Sequence, residues 1–155
     1  MDADMQIVDL SIASDEDREW GTILMCGMDP WVSLGVSQAT ILANLFDPGY
    51  DVFIAKKNQQ RTGILVMDKR GLAGSPYLKS IAVEPSFHGQ GTGTVMLQFA
   101  EAYAAKYSPH FFLCVSSFNK AAQNFYHQHG YVQVGELPDY LQEGTSELLL
   151  YKRLK

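Results

Sequence analysis

The chain has 155 residues, 46% of them apolar and 19% charged, with a net charge of −5. That length suits a single domain, residues 1–155, with a proper core, and the acidic balance disfavours nucleic-acid backbones and anionic membrane surfaces, which both want a basic face. No apolar run approaches the ~20 residues of a membrane span, no charged-then-apolar leader opens the chain, and Cys26 and Cys114 form neither a Cys-x-x-Cys unit nor a disulfide framework, so reduced thiols in a cytoplasmic protein are expected.

Met5 to Leu10 alternates weakly and reads as a first strand. Asp15-Glu16-Asp17 places acids where a helix dipole favours them, and that helix ends near Gly27, before Asp29-Pro30-Trp31. Ser37 is a plausible N-cap for a second helix with Ile41, Leu42, Leu45 and Phe46 inside, stopped by Asp47-Pro48-Gly49. Tyr50–Ala55 and Thr62–Met67 read as strands around a polar hairpin turn, Lys56–Arg61. A loop from Lys69 to Pro76, with Gly71 and Gly74, leads to the strand Tyr77–Val83. His110–Val115 is the short apolar run of a strand buried in mid-sheet. Asn119–His129 reads as a helix with Gly130 as its C′ residue. Tyr131–Val134 and Glu147–Tyr151 supply the last two strands. The expectation is an α/β fold with a central mixed sheet covered by helices.

Between the strand ending at Val83 and the helix Thr92–Tyr107 lies Glu84-Pro85-Ser86-Phe87-His88-Gly89-Gln90-Gly91-Thr92-Gly93-Thr94. The helix carries Val95, Met96, Phe99, Ala100 and Tyr103 on one expected inner face. Alternating glycines let a backbone approach a ligand closely, and a helix N-terminus after them favours an anion such as a pyrophosphate. A Walker A loop needs a Lys that is absent here. A Rossmann fingerprint needs a third glycine where this chain has Met96 or Thr94, according to the starting glycine. A glycine-rich turn with no ligand is the plain alternative.

The His88-Gly89-Gln90-Gly91-Thr92-Gly93 pattern resembles the Arg/Gln-x-x-Gly-x-Gly/Ala loop of the GNAT superfamily of N-acetyltransferases. Leu113-Cys114-Val115-Ser116-Ser117-Phe118-Asn119, followed by Ala122, Phe125-Tyr126 and Gly130-Tyr131, resembles that family's second signature, in the family's order and at about its distance. The second motif is similar to that of ribosomal-protein N-terminal acetyltransferases. The resemblance implies one domain with a mostly antiparallel sheet of six to seven strands flanked by about four helices. It implies acetyl-coenzyme A as acetyl donor, held by the amides of residues 88–94, by the backbone of Ile81, Ala82 and Val83, and by Asn119, Ala122 and Phe125. Tyr126 is implied as the acid that protonates the leaving thiolate, and transfer to a primary amine, a small molecule or a peptide N-terminus, as the reaction. A homodimer is left open.

Three departures stand out. His88 replaces the loop's usual Arg or Gln. Cys114 and Tyr77 occupy the two positions where relatives often carry a general-base Glu, so the base is unassigned; a water chain, a backbone carbonyl, Asp139 or Glu147 remain open. Cys114 reads as a buried small hydrophobe rather than a nucleophile. Trp31, Tyr140 and Glu147 fall in acceptor-side segments, where aromatics beside acids suit a cationic amine; a plug of aromatic side chains over the core is the equal alternative. His110, His127 and His129 lack partners at metal-ligand spacing, so no metal is expected. The alternative function is a coenzyme A-binding or partner-binding module of the same fold without transfer.

Overall fold

Why the elements begin and end where they do is mostly local chemistry, visible in a computed structural model that describes residues 7–155. The first strand, β1, is Val8–Ile12, later than expected from Met5–Leu10, and Met5 and Gln6 lie outside the described residues. Helix α1, Asp15–Cys26, opens on a capping box in which Ser14 and Asp17 each accept the other's backbone N–H. Helix α2, Gln38–Leu45, is capped by Ser37 as expected, but only Ile41 and Leu45 are buried, and Leu42 and Phe46 face outward.

Strands β2 (Asp51–Lys57) and β3 (Gln60–Leu72) form a hairpin whose two turn residues, Asn58 and Gln59, both have positive φ, the geometry of a tight two-residue turn. The expected loop over Lys69–Pro76 is instead a second hairpin: β3 runs to Leu72, β4 (Ser75–Val83) starts three residues later, and Ala73-Gly74 turns with positive φ at both positions. Gly71 lies within β3, where the cross-strand approach leaves no room for a side chain: an added Cβ would sit 2.6 Å from Tyr77 Cβ. Helix α3 spans Thr92–Ala105, β5 His110–Ser116, α4 Lys120–Gln128, β6 Val132–Pro138 and β7 Ser146–Arg153.

The seven strands form one sheet in the order β1-β2-β3-β4-β5-β7-β6, antiparallel except for β4 beside β5. That parallel pair needs a crossover, which α3 provides. Each face carries its own core. On one, Met96, Leu97, Ala100 and Ala104 of α3 pack on Leu65, Met67, Leu78, Phe111, Leu113 and Leu150. On the other, Met25, Ile41 and Leu45 of α1 and α2 cover Val52, Ile54, Ile64, Val66 and Ala82. Burying each of these large side chains contributes about 1.5–3 kcal/mol. Val95, expected inside, is exposed at 37%.

Candidate active site

The sheet opens where its one parallel pair fails. β4 and β5 pair only at Tyr77↔Phe112 and Leu78↔Leu113. On the other side of β4 the register jumps from Val66↔Ser80 to Met67↔Leu78, leaving Lys79 as an extra residue. Such a bulge bends a strand and increases its twist, so beyond Lys79 β4 leaves β5. The Glu84 N–H donates to Thr62 O at 2.8 Å. Antiparallel alternation from that pair turns Ala82 and Ser80 toward β3, and the N–H and C=O of Ile81 and Val83 toward the opening. The same alternation, set by the Ser117 N–H donating to Ser146 O at 2.8 Å, turns the main chain of Cys114 and Ser116 toward it from β5.

At the mouth of this opening a single helical turn, Pro85–Phe87, precedes the glycine loop. Gly89 and Gly91 have φ of +77° and +82°, with open space where a Cβ would stand. Gly91 caps α3 without any side-chain bond, so the first amides of that helix are available to an anion. The Thr92 side chain is not part of this surface: it is buried with Oγ1 sealed and unpartnered, leaving its amide as the useful group. Gln90 binds within the protein, donating to Ser86 O at 3.2 Å and accepting from Lys57 Nζ at 3.1 Å. Lys57, which the sequence reading missed, thereby brings a positive charge beside the loop. The His88 ring also turns inward, its Nε2–H donating to Val83 O at 2.7 Å. One of the free β4 carbonyls is therefore already taken, and His88 shapes the opening rather than reaching for an anion.

Helix α4 walls the opening on the α3 side of the sheet. Asn119 stands just before the helix as its N-cap, Oδ1 accepting from Ala122 N at 3.2 Å, which leaves its amide nitrogen for another partner. Ala122 and Phe125 pack against the core, and Phe125 lies 3.6 Å from the Cβ position of Gly93, joining α4 to the loop. Thr94 Oγ1 lies 3.3 Å from His129 Nε2, whose ring Nδ1–H donates to Phe125 O at 2.8 Å. Tyr126 is 6% exposed, edge-on to Phe125 and Tyr131. Burial alone pushes its phenol far above the usual tyrosine range, so it stays protonated and keeps a hydrogen to donate to an incoming atom. Tyr131 fixes this wall, donating to Glu101 Oε2 at 2.8 Å.

The opposite face carries a separate polar group. Glu147, only 6% exposed, is a β7 residue paired with Ser116, whose hydroxyl donates to Glu147 Oε2 at 2.6 Å. Burial raises the carboxyl and the Ser116 hydrogen bond partly offsets it, leaving it above the ordinary glutamate range. Cys114 lies two residues back on the same face, and Tyr77 on β4 neighbours it. Burial raises the Cys114 thiol, Tyr77 opposes the shift and the Glu147 charge adds to it. Burial, then Cys114, then Glu147 and Tyr140 hold the Tyr77 phenol up. Above this group the 139–145 loop meets the α1–α2 segment through Gln142 Nε2 donating to Ser33 O at 3.2 Å. Tyr140 in that loop is 65% exposed, while Trp31 is half-buried against the α1–α2 core. Ser116 was missed because nothing local links it to a residue 31 positions away.

A sequence model of the GNAT acetyltransferase domain matches residues 48–133, which contain the opening, the glycine loop and α4. No curated protein matches the chain by sequence. Among solved structures, the ribosomal-protein-S18-alanine N-acetyltransferase of Escherichia coli is 18% identical with a TM-score of 0.77, covering 96% of this chain and 95% of that one. Ard1 of Thermoplasma volcanium is 16% identical at a TM-score of 0.77, over 96% and 98% of the two chains. An aminoglycoside 6'-N-acetyltransferase complexed with coenzyme A is 17% identical at 0.75, over 94% and 96%. These likenesses establish the fold, and the domain match, which spans more than half of the sequence, makes the chain a member of the GNAT family of acetyltransferases.

Proposed function

We propose that the protein transfers an acetyl group from acetyl-coenzyme A to a primary amine, a small molecule or a peptide N-terminus, by direct attack with both substrates bound. The observation that carries this reading is the opening itself. Both main-chain groups of Ile81 and the N–H of Val83 line it, uncapped α3 amides and two left-handed glycines stand at its mouth, and Tyr126, whose hydroxyl has no hydrogen-bond partner among the described residues, closes one wall. An extended amide-bearing arm fits such an edge as an added strand, and its pyrophosphate fits the helix N-terminus. An N–H of Ile81 or Val83 is suited to hold the thioester oxygen as charge gathers on it. Tyr126 donates its hydroxyl hydrogen to the leaving sulfur. Asn119 offers its amide nitrogen to the arm. Trp31, Tyr140 and Glu147 belong to the acceptor side, and the acids there suit a cationic amine.

Thermal unfolding with acetyl-coenzyme A, NAD or ATP tests the donor. Ligand at ~100 times its dissociation constant adds about 2.7 kcal/mol, roughly 5–10 °C for a chain of this size. A shift for acetyl-coenzyme A alone, with thiol release in the presence of tyramine, spermidine or an Ala-initiated peptide, supports transfer. A shift with no release for any amine points to a coenzyme A-binding module, and no shift at millimolar ligand refutes the donor.

A further inference from the structure

We infer that Glu147 is the general base of this site, the group that takes the proton an incoming ammonium must lose. The inference rests on the acetyl-transfer reading above and assigns the role that reading leaves vacant. Three observations carry it. First, position: Ser116 lies three residues beyond the last β4–β5 pair, about 10 Å along β5, so its strand partner Glu147 stands beside the open part of the sheet. Second, sidedness: Leu148 and Leu150 point into the α3-side core, so by strand alternation Glu147 faces the other side with Ser116 and Cys114. Tyr126 approaches from the α3 side. Proton acceptor and proton donor thus flank the opening from opposite faces. Third, chemistry: among the described residues the carboxylate has neither a lysine nor an arginine within ion-pair distance. One hydroxyl hydrogen bond, from Ser116, holds its orientation. The titratable groups facing it are Cys114 on β5 and Tyr77 on β4, and its β6 neighbour is apolar Leu137. A buried carboxylate without a counter-cation gains a proton readily.

The step balances as follows. An N–H proton of the ammonium passes to Glu147 and on to water. The freed lone pair forms the C–N bond at the thioester carbonyl carbon, and the C–S bond breaks with its electron pair on sulfur. Sulfur takes the Tyr126 hydrogen, and the second proton lost by nitrogen replaces it through water. One proton leaves to solvent in net.

The test compares wild type, Glu147→Gln, Glu147→Asp and Ser116→Ala, with spermidine, tyramine and the Ala-initiated peptide as protonated acceptors and hydroxylamine as one already neutral at pH 7. Glu147→Gln is expected to keep acetyl-coenzyme A affinity, to lower kcat/KM for protonated amines by about 100-fold or more, and to lower it for hydroxylamine by about tenfold or less. It is also expected to erase the acid limb of the pH profile, with partial rescue by Glu147→Asp. Equal losses with hydroxylamine and the amines, or an unchanged pH profile, overturn the assignment. If Glu147→Gln fails to fold, Ser116→Ala decides: it keeps the carboxylate without its hydrogen bond, so the acid limb must move to higher pH, and an unmoved limb overturns the assignment. Failure of wild type to bind acetyl-coenzyme A refutes the transfer reading itself, and failure to acetylate any of the four acceptors removes the base with it.

Discussion

Replacing the three loop glycines one at a time by alanine separates backbone conformation from ligand contact. Gly91 has φ +82° and Gly89 +77°, and neither has any atom within 4 Å of the Cβ position. Alanine therefore clashes with nothing at either site, and its whole effect is the cost of the left-handed conformation, about 1–2 kcal/mol. Either the loop keeps its shape and the fold loses that amount, or the loop relaxes and the amides no longer converge. Gly93 is different: it is helical, and its Cβ position lies an ordinary 3.6 Å from Phe125 Cζ. Alanine there removes glycine's helical penalty of up to about 1 kcal/mol. Each kcal/mol moves the midpoint roughly 2–4 °C at this chain length. Gly89→Ala and Gly91→Ala should lower the midpoint by about 2–8 °C, or weaken acetyl-coenzyme A binding by about 5–30-fold, the two losses sharing one energy. Gly93→Ala should be neutral to stabilising and bind within about threefold of wild type, since a gain of under 1 kcal/mol leaves the loop unstrained. Differential scanning fluorimetry and isothermal titration measure both quantities. A binding loss at Gly93→Ala equal to that at Gly91→Ala, with unchanged stability of the latter, would refute the conformational account.

Tyr126→Phe removes a hydroxyl that makes no hydrogen bond among the described residues and whose phenol is raised by burial alone. Stability should hold or rise by up to about 1 kcal/mol while kcat falls about 100-fold or more; a loss of stability on denaturant titration would mean the hydroxyl has a structural partner. Asp17→Asn should cost about 1–3 kcal/mol, because Asp17 Oδ1 accepts from Arg61 Nε at 2.7 Å with only 5% of the Asp17 side chain exposed. Burial raises the Asp17 carboxyl, but the Ser14 N–H and then Arg61 outweigh it, so the folded value lies below the usual one. The stability it confers is present above about pH 4, the ordinary aspartate value, and is lost as pH falls through the lower folded value. Denaturant titrations at pH 7 and below pH 4 should therefore show the wild-type advantage shrinking with acid. A gap independent of pH would attribute it to packing.

What was legible in the sequence was what neighbours in the chain decide. Ser37 as a cap, Gly130 as a helix terminator and the His88–Gly93 turn are each set by contacts a few residues long. Lys69–Pro76 misled because Gly71, Gly74 and Pro76 read as loop punctuation. Only the cross-strand approach of Tyr77 to Gly71 explains a glycine inside β3. The expected inner faces of α2 and α3 failed at Leu42, Phe46 and Val95, where periodicity alone overstates how wide a stripe the sheet covers. Residues of the site that lie in one stretch, the loop and the Asn119–Tyr126 helix, were visible as motifs. The Ser116–Glu147 bond was not, because it depends on β7 inserting between β5 and β6. Neither was the His88–Val83 bond, which turns the loop's departing residue toward the strand instead of the solvent.

That inserted strand bears directly on the missing acid. Cys114, one of the two positions where the sequence resemblance points to a base, pairs with Leu149, two residues from Glu147 on β7. Moving the carboxylate from Cys114 to Glu147 shifts its origin one strand sideways, about 4.8 Å, and two residues along, about 6.6 Å, on the same face of the sheet. A base anchored on β7 lies farther from the parallel pair, and the intervening position becomes a small, uncharged thiol. More room is then left between carboxylate and opening than a β5 glutamate would allow. The Gln142–Ser33 bond joins the two segments above that room, so acceptor size should depend on residue 114. Cys114→Glu, which restores an acid on β5, is expected to narrow the acceptor range toward the smallest amines while leaving acetyl-coenzyme A affinity unchanged. Competition assays pairing spermidine with hydroxylamine measure that range, and a spermidine preference unaltered by Cys114→Glu would show that the space beside Cys114 is not where the acceptor lies.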